Sequence, residues 1–152
     1  MITKEFVVID LDGTLCNSAH REHFAKNKDW EEFHSLLHED RVNEDVRQAM
    51  ESFSFFGMKL IILTGRPEKY RKATNDWLDK NNLSNYVTAI LMRSNDDYRS
   101  DGDMKADWLA RFFGGLEEAL RNVLFILDDR DSVVEDLRNK GFRCWQVQVG
   151  GY

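Results

Sequence analysis

Hydrophobic and polar positions fall in alternating blocks along the chain. Short apolar runs rich in β-branched residues recur at 5–11, 58–63, 86–92, 122–127 and 142–148, and runs of that length and composition read as buried strands. The stretches between them carry helical spacing. Residues 43–56 open on Asn43, a good N-cap, and place Val46, Met50 and Phe53 on one face. Residues 67–81 begin at Pro67, the only proline, a residue suited to a first helical position. Residues 103–113 and 131–140 complete the helices, the last closed by Gly141. Strand and helix in this alternation predict a doubly wound, Rossmann-like α/β fold with five parallel strands and right-handed crossovers.

Residues 16–42 break the rhythm. They are polar and aromatic where the first crossover should begin, and the pattern predicts a small lid with one short helix around residues 29–38. Histidines 34 and 38 share a face there, but solvated histidines are the expectation, since no second ligand set has zinc-like spacing. Nothing suggests a repeat or an interdomain linker, so 1–152 is expected to be one domain.

Composition narrows the field. The hydrophobic fraction is 42% and the formal net charge is −6, which fits a globular protein and argues against a broad footprint on a nucleic-acid backbone. Two lone cysteines, no signal peptide and no apolar run near the roughly 20 residues of a membrane span predict a soluble, cytoplasmic protein with no membrane contact. The sequence sets no oligomeric state.

The chemistry gathers at strand ends. The first strand runs into Asp10-Leu11-Asp12-Gly13-Thr14, and two acids at the carboxyl end of a core strand suggest a cation, because buried carboxylates are costly unless compensated. Thr64-Gly65-Arg66 follows the second strand; a hydroxyl, a free amide and a guanidinium can hold phosphate oxygens. Lys105 precedes the fourth strand, and Asp128-Asp129-Arg130-Asp131 ends it. Acids so concentrated repel unless a cation intervenes, and Mg²⁺, which takes oxygen ligands and meets phosphate, fits best. The set supplies a nucleophile, a metal site and cations for an anion, the parts needed for phosphoryl transfer.

In order and strand position these motifs resemble those of the haloacid dehalogenase superfamily of phosphatases. The resemblance implies Asp10 as the nucleophile that forms an aspartyl-phosphate and Asp12 as general acid, then base. It implies Thr64 and Lys105 as phosphoryl-binding groups. Asp129 would ligate Mg²⁺ with Asp10 and the Asp12 carbonyl, and Asp128 would support it. Leu127 to Glu135, Cys144 to Val147, Thr64 to Arg71 and Arg99-Ser100-Asp101 are similar to the phosphatase domain of the phage polynucleotide kinase/3′-phosphatase family. That similarity adds Arg21 and Arg66 as phosphate contacts and Asp101 as a supporting residue. It makes the 3′-phosphate of a nucleic-acid end the favoured substrate.

No GxxxxGK[ST] loop is present, so the kinase half of such enzymes is expected to be absent, and the sequence leaves open whether a separate kinase acts as a partner. A phosphatase for free nucleotides or another small phosphomonoester is the alternative. A receiver-like phospho-acceptor is a further one, although receivers place their acids and lysine in another order; so is a catalytically silent phosphate-binding module. Trp77, Trp108 and Trp145 are expected in the core, Trp30 and Phe33 in the lid, and Cys16 as a small buried hydrophobe.

Overall fold

The computed structural model describes residues 4–152. Strand β1 (Phe6–Ile9) lies at the centre of a five-stranded parallel sheet, because its four residues can bury apolar side chains on both faces. Val8 points into one layer with Ile61, Leu109, Ile126 and Val134; Val7 and Ile9 point into the other with Met50, Leu60, Ile62 and Trp77. The two-residue period of a strand thus divides one hydrophobic run between two cores.

After β1 the chain forms a two-stranded antiparallel ribbon, β2 (Cys16–Asn17) and β3 (Arg41–Val42), which encloses helices α1 (Glu22–Lys26) and α2 (Trp30–Ser35). This is the lid. It contains two short helices, where sequence pattern suggested one around 29–38; five and six residues are too few to show a helical period. Next come α3 (Glu44–Phe55), β4 (Lys59–Pro67), α4 (Arg71–Lys80) and β5 (Val87–Arg93). The remainder is α5 (Asp101–Phe113), α6 (Leu116–Asn122), β6 (Val123–Asp128), α7 (Asp131–Asn139) and β7 (Cys144–Gln146).

The sheet order is β5-β4-β1-β6-β7. The chain winds outward through β4 and β5, then crosses to the other side of β1 for β6 and β7. Strand β1 is therefore where the winding reverses, and the crevice at its carboxyl end is where such sheets bind ligands. Asp10 follows immediately, its amide donating to the Leu127 carbonyl at 3.0 Å.

Three expectations change. Pro67 ends β4 in extended backbone (φ −61°, ψ 148°), a 3₁₀ turn spans Glu68–Tyr70, and α4 begins at Arg71. Proline's fixed φ suits either conformation, so the residue alone did not decide. Helix α6 has no counterpart in the pattern, being seven residues set off by Gly114 and Gly115. Trp145 is half exposed: it lies flat on Phe125 at 4.0 Å between ring centroids, on edge strand β7 with solvent outside. Trp77 is buried, as expected.

Candidate active site

Asp10, Asp128 and Asp129 come from two adjacent strand ends, and each offers a carboxylate oxygen within 4.8 Å of the others. All three are buried. Lys105, buried on α5, donates to Asp10 Oδ1 at 2.8 Å and to Asp128 Oδ2 at 2.6 Å. Burial disfavours the lysine's charge, but the two carboxylates outweigh it and hold the ammonium charged. The Thr14 hydroxyl lies 3.3 Å from Asp10 Oδ2 and 3.4 Å from Asp129 Oδ1, one proton for two acceptors. Three carboxylates thus meet one ammonium, with two negative charges in excess.

The excess is not shared evenly. Asp128 spends Oδ2 on Lys105 and Oδ1 on the backbone amides of Asp129 (2.9 Å) and Arg130 (3.2 Å). Burial and the Asp128 charge push the Asp129 carboxyl up to about 6. Burial likewise raises Asp10 well above the ordinary carboxylate range, against the pull of Lys105. A cluster short of two positive charges, rich in oxygen and adjacent to a cavity suits a divalent, oxygen-seeking cation such as Mg²⁺. Gly13 (φ +83°) passes so close to Asp129 that any Cβ there would strike its carboxylate, which is why the turn after the acids needs glycine.

Asp12 is compensated differently. The Arg66 side chain donates to it through Nε at 3.0 Å and Nη2 at 2.6 Å, and Arg21 Nη2 donates to Asp12 Oδ1 as well. Burial opposes the Asp12 charge, yet Arg66 and Arg21 hold its carboxyl well below the usual range. Both arginines are fully buried and share a second acid, Asp40, at the end of the lid. Asp40 accepts from Arg21 Nε at 2.7 Å and from His20 Nε2 at 2.9 Å, while its own carbonyl receives the Trp77 indole N–H. Two guanidiniums and two carboxylates balance, so this group, unlike the first, is not short of a cation.

A cavity of about 470 Å³ opens above both groups. Asp10, Asp12, Gly65 and Lys105 lie along its floor, and Trp30 and Tyr98, both exposed, stand at its mouth. Asp101, at the start of α5, accepts from Arg93 and Arg130. Arg93 Nε also donates to the Gly65 carbonyl at 3.1 Å. Asp101 therefore joins β5, α5 and the turn after β6 around the cavity wall.

The structure brings Asp10, Asp12, Gly65, Lys105, Asp101, Asp128 and Asp129 to one place. Arg21 and Arg66 arrive behind Asp12, engaged with acids rather than turned to the cavity. Thr64, one residue before Gly65, is buried with its hydroxyl accepting from the Arg66 amide at 3.2 Å. His34 is buried, not solvated as its helix spacing suggested, because Trp30, Phe33 and Tyr70 surround it; burial lowers its imidazole to about 4. Asp40 and Arg93 carry no sequence signal. Asp40 is a lone acid whose arginine partners are 19 and 26 residues away, and Arg93 is a lone base at a strand end that meets Asp101 only across a loop.

The crevice at the reversal of the winding, with acids from β1 and β6 and a lysine from α5, defines a haloacid dehalogenase-type phosphatase fold. The sequence model of the polynucleotide kinase PNKP phosphatase domain matches residues 4–152, and the chain belongs to that family. It is similar to chains in two solved structures of a Pnkp1/Rnl/Hen1 complex, one of them described as an RNA repair complex. The TM-score is 0.79 for both, with 30% and 31% identity, over 96% of this chain and 43% and 46% of theirs. The chain thus spans less than half the length of those relatives. A haloacid dehalogenase-like hydrolase from Streptococcus pneumoniae (TM-score 0.69, 15% identity, 96% and 85% covered) shares the fold.

Proposed function

We propose that the protein is a Mg²⁺-dependent phosphomonoesterase that works through an aspartyl-phosphate on Asp10, with the 3′-phosphate of a nucleic-acid end as its substrate. The observation that carries the reading is the state of Asp10: one oxygen is pinned by Lys105, and the other faces the cation-deficient side at the cavity floor. Asp10, Asp129 and the Asp12 carbonyl are the groups proposed to hold the metal. Asp128 aligns Lys105 and the turn behind them. Mg²⁺ bound there supplies charge that lets an anionic nucleophile meet an anionic phosphoryl group.

In this scheme Asp10 attacks phosphorus, the ester P–O bond breaks, and the leaving oxygen takes a proton from Asp12. Water then attacks the acyl-phosphate, Asp12 takes its proton, and inorganic phosphate leaves with Asp10 restored. Held by Arg66 and Arg21, Asp12 is an anion in the resting site and suited to the second step. To donate in the first step it must first take up a proton. The negative charge of an arriving phosphoryl group would raise the Asp12 carboxyl and favour that proton while Arg66 and Arg21 stay in place. Lys105, Thr64 and the Gly65 amide complete the phosphoryl-binding set.

The likeness to a chain of an RNA repair complex supports nucleic-acid ends, RNA among them. A second reading, hydrolysis of mononucleotides, draws support from the modest cavity and the net charge of −6. Phosphate release from 3′- and 5′-phosphorylated oligonucleotides and mononucleotides, with Mg²⁺ or with chelator, separates the two. We expect preference for 3′ ends, loss of activity on chelation, and none in Asp10→Asn, which cannot form the acyl-phosphate. A well-folded, active Asp10→Asn protein would remove the nucleophile assignment.

A further inference from the structure

Beyond β7 the chain turns back over the site. The Val147 amide donates to the Asp128 carbonyl at 3.1 Å and the Gly150 amide to the Asp129 carbonyl at 2.8 Å. The Gln146 side chain fixes the same turn, donating to the Asp129 carbonyl at 2.9 Å and to Asp131 Oδ1 at 2.6 Å. The tail then threads between the metal-side turn and the lid. A Cβ on Gly150 would lie 2.6 Å from Asp129 Oδ2, and one on Gly151 would strike the Glu22 carboxylate of α1. Glycine is needed at 150, against buried Asp129, for so narrow a passage.

It brings Tyr152 to the site, where the residue lines the cavity and touches both sides. On the lid side its ring meets Phe33 edge-on at 5.4 Å and lies 6.5 Å from Trp30. Phe33 in turn carries the Arg21 guanidinium 4.1 Å above its ring and accepts from Arg21 Nη1 through its carbonyl at 3.0 Å. On the other side the Arg130 guanidinium lies 5.5 Å from the Tyr152 ring, and Arg130 holds Asp101. A continuous path of packed groups runs from Tyr152 through Phe33 to Arg21 and Asp12, and another through Arg130 to Asp101.

We infer that Tyr152 is a positioning residue: its ring fastens the lid to the turn after β6 and so keeps Arg21 seated on Asp12. The ring does this, not the hydroxyl, since both contacts are to its face or edge. The tail is accordingly a strap across the site, anchored at Asp129 and closed on Phe33. The inference rests on the proposed phosphatase activity only for its kinetic readout.

The test uses the full chain as wild type, Tyr152→Ala, Tyr152→Phe and Tyr152→Leu. Steady-state kinetics on the best substrate of the panel are paired with amide hydrogen exchange over residues 30–35. Loosening a charged group near the reacting atoms should lower kcat of Tyr152→Ala roughly 10-fold, with KM held within about threefold. Tyr152→Phe should restore wild-type kcat. Exchange in α2 should quicken in Tyr152→Ala and not in α3 or α7. Should the alanine variant fail to fold, Tyr152→Leu keeps apolar bulk without the aromatic contacts and should show the same kcat loss. Kinetics of Tyr152→Ala near wild type, a Tyr152→Phe variant as impaired as alanine, or unchanged exchange in α2 would each overturn the inference. Absence of phosphate release by the wild type would instead overturn the proposed function, and the exchange measurement would still decide the role of the strap.

Discussion

At the scale of single residues, the two acid groups differ in charge balance, and that difference sets what each substitution should do. Asp40 shares two buried guanidiniums with Asp12. Removing one partner from a buried, paired set leaves charge uncompensated, so Asp40→Ala should cost about 3–5 kcal/mol of stability. Urea unfolding would register it, and a loss below about 1 kcal/mol would mean that the pairs are solvated or redundant. Asp128 and Asp129 should separate in the opposite way. Asp128→Ala frees Lys105 and two turn amides, and should weaken Mg²⁺ roughly 10-fold, as the loss of an outer partner does. Asp129→Ala removes the less engaged oxygens and should weaken it further. A calorimetric Mg²⁺ titration in which Asp128→Ala is the worse of the two would reverse the proposed assignment.

At the scale of elements, the lid is the part with a pH dependence of its own. His34 is buried among Trp30, Phe33 and Tyr70, and its Nδ1 has no hydrogen-bond partner among the described residues. Folded, it titrates at about 4; unfolded, near 6.5. Between those values the unfolded state binds more protons, so stability falls as pH drops through the window, by up to about 3 kcal/mol for this group. His34→Phe should lose less stability than wild type between neutral pH and pH 4.5 when thermal midpoints are compared. Parallel losses in the two proteins would show that the histidine is not the cause. The lid is also where the sequence was hardest to read. The sheet was legible because β-branched runs such as Val7-Val8-Ile9 and Leu60-Ile61-Ile62 carry a strong local signal. Asp10, Asp12 and the Asp128-Asp129 pair were legible because their spacing puts them at strand ends, whereas Lys105, within α5, stood out only through its place in the resembling motif set. Asp40 was not, since a single acid shows neither period nor spacing and its partners are 19 and 26 residues away. Trp145 misled because alternation says which face a strand residue takes, not whether another layer covers that face.

At the scale of the whole molecule, a chain of net negative charge carries a small cavity with buried acids at its floor. The cavity of about 470 Å³ has the capacity of a terminal nucleotide, not of an extended strand. With a net charge of −6 over the whole chain, additional phosphates on a longer substrate gain little attraction. On the proposed reading, kcat/KM for a 3′-phosphorylated decamer should differ little from that for a dinucleotide, and its fall with added salt should be shallow. A steep salt dependence that grows with length would point to a basic track not accounted for by the site.

The proposed nucleophile, Asp10, and the acid beside it, Asp129, are furnished by β1 and β6, near opposite ends of the described chain, and the segment that hydrogen-bonds to Asp129 arrives later still. During synthesis Asp10 leaves the ribosome more than a hundred residues ahead of β6 and waits for it. No half-built intermediate can gather the acids, because parallel pairing of β1 with β6 joins segments distant in sequence and pays its loop entropy before any contact forms. Catalytic competence is therefore a late property of the growing chain, and a nascent chain stalled anywhere ahead of β6 would carry the nucleophile without the ability to use it.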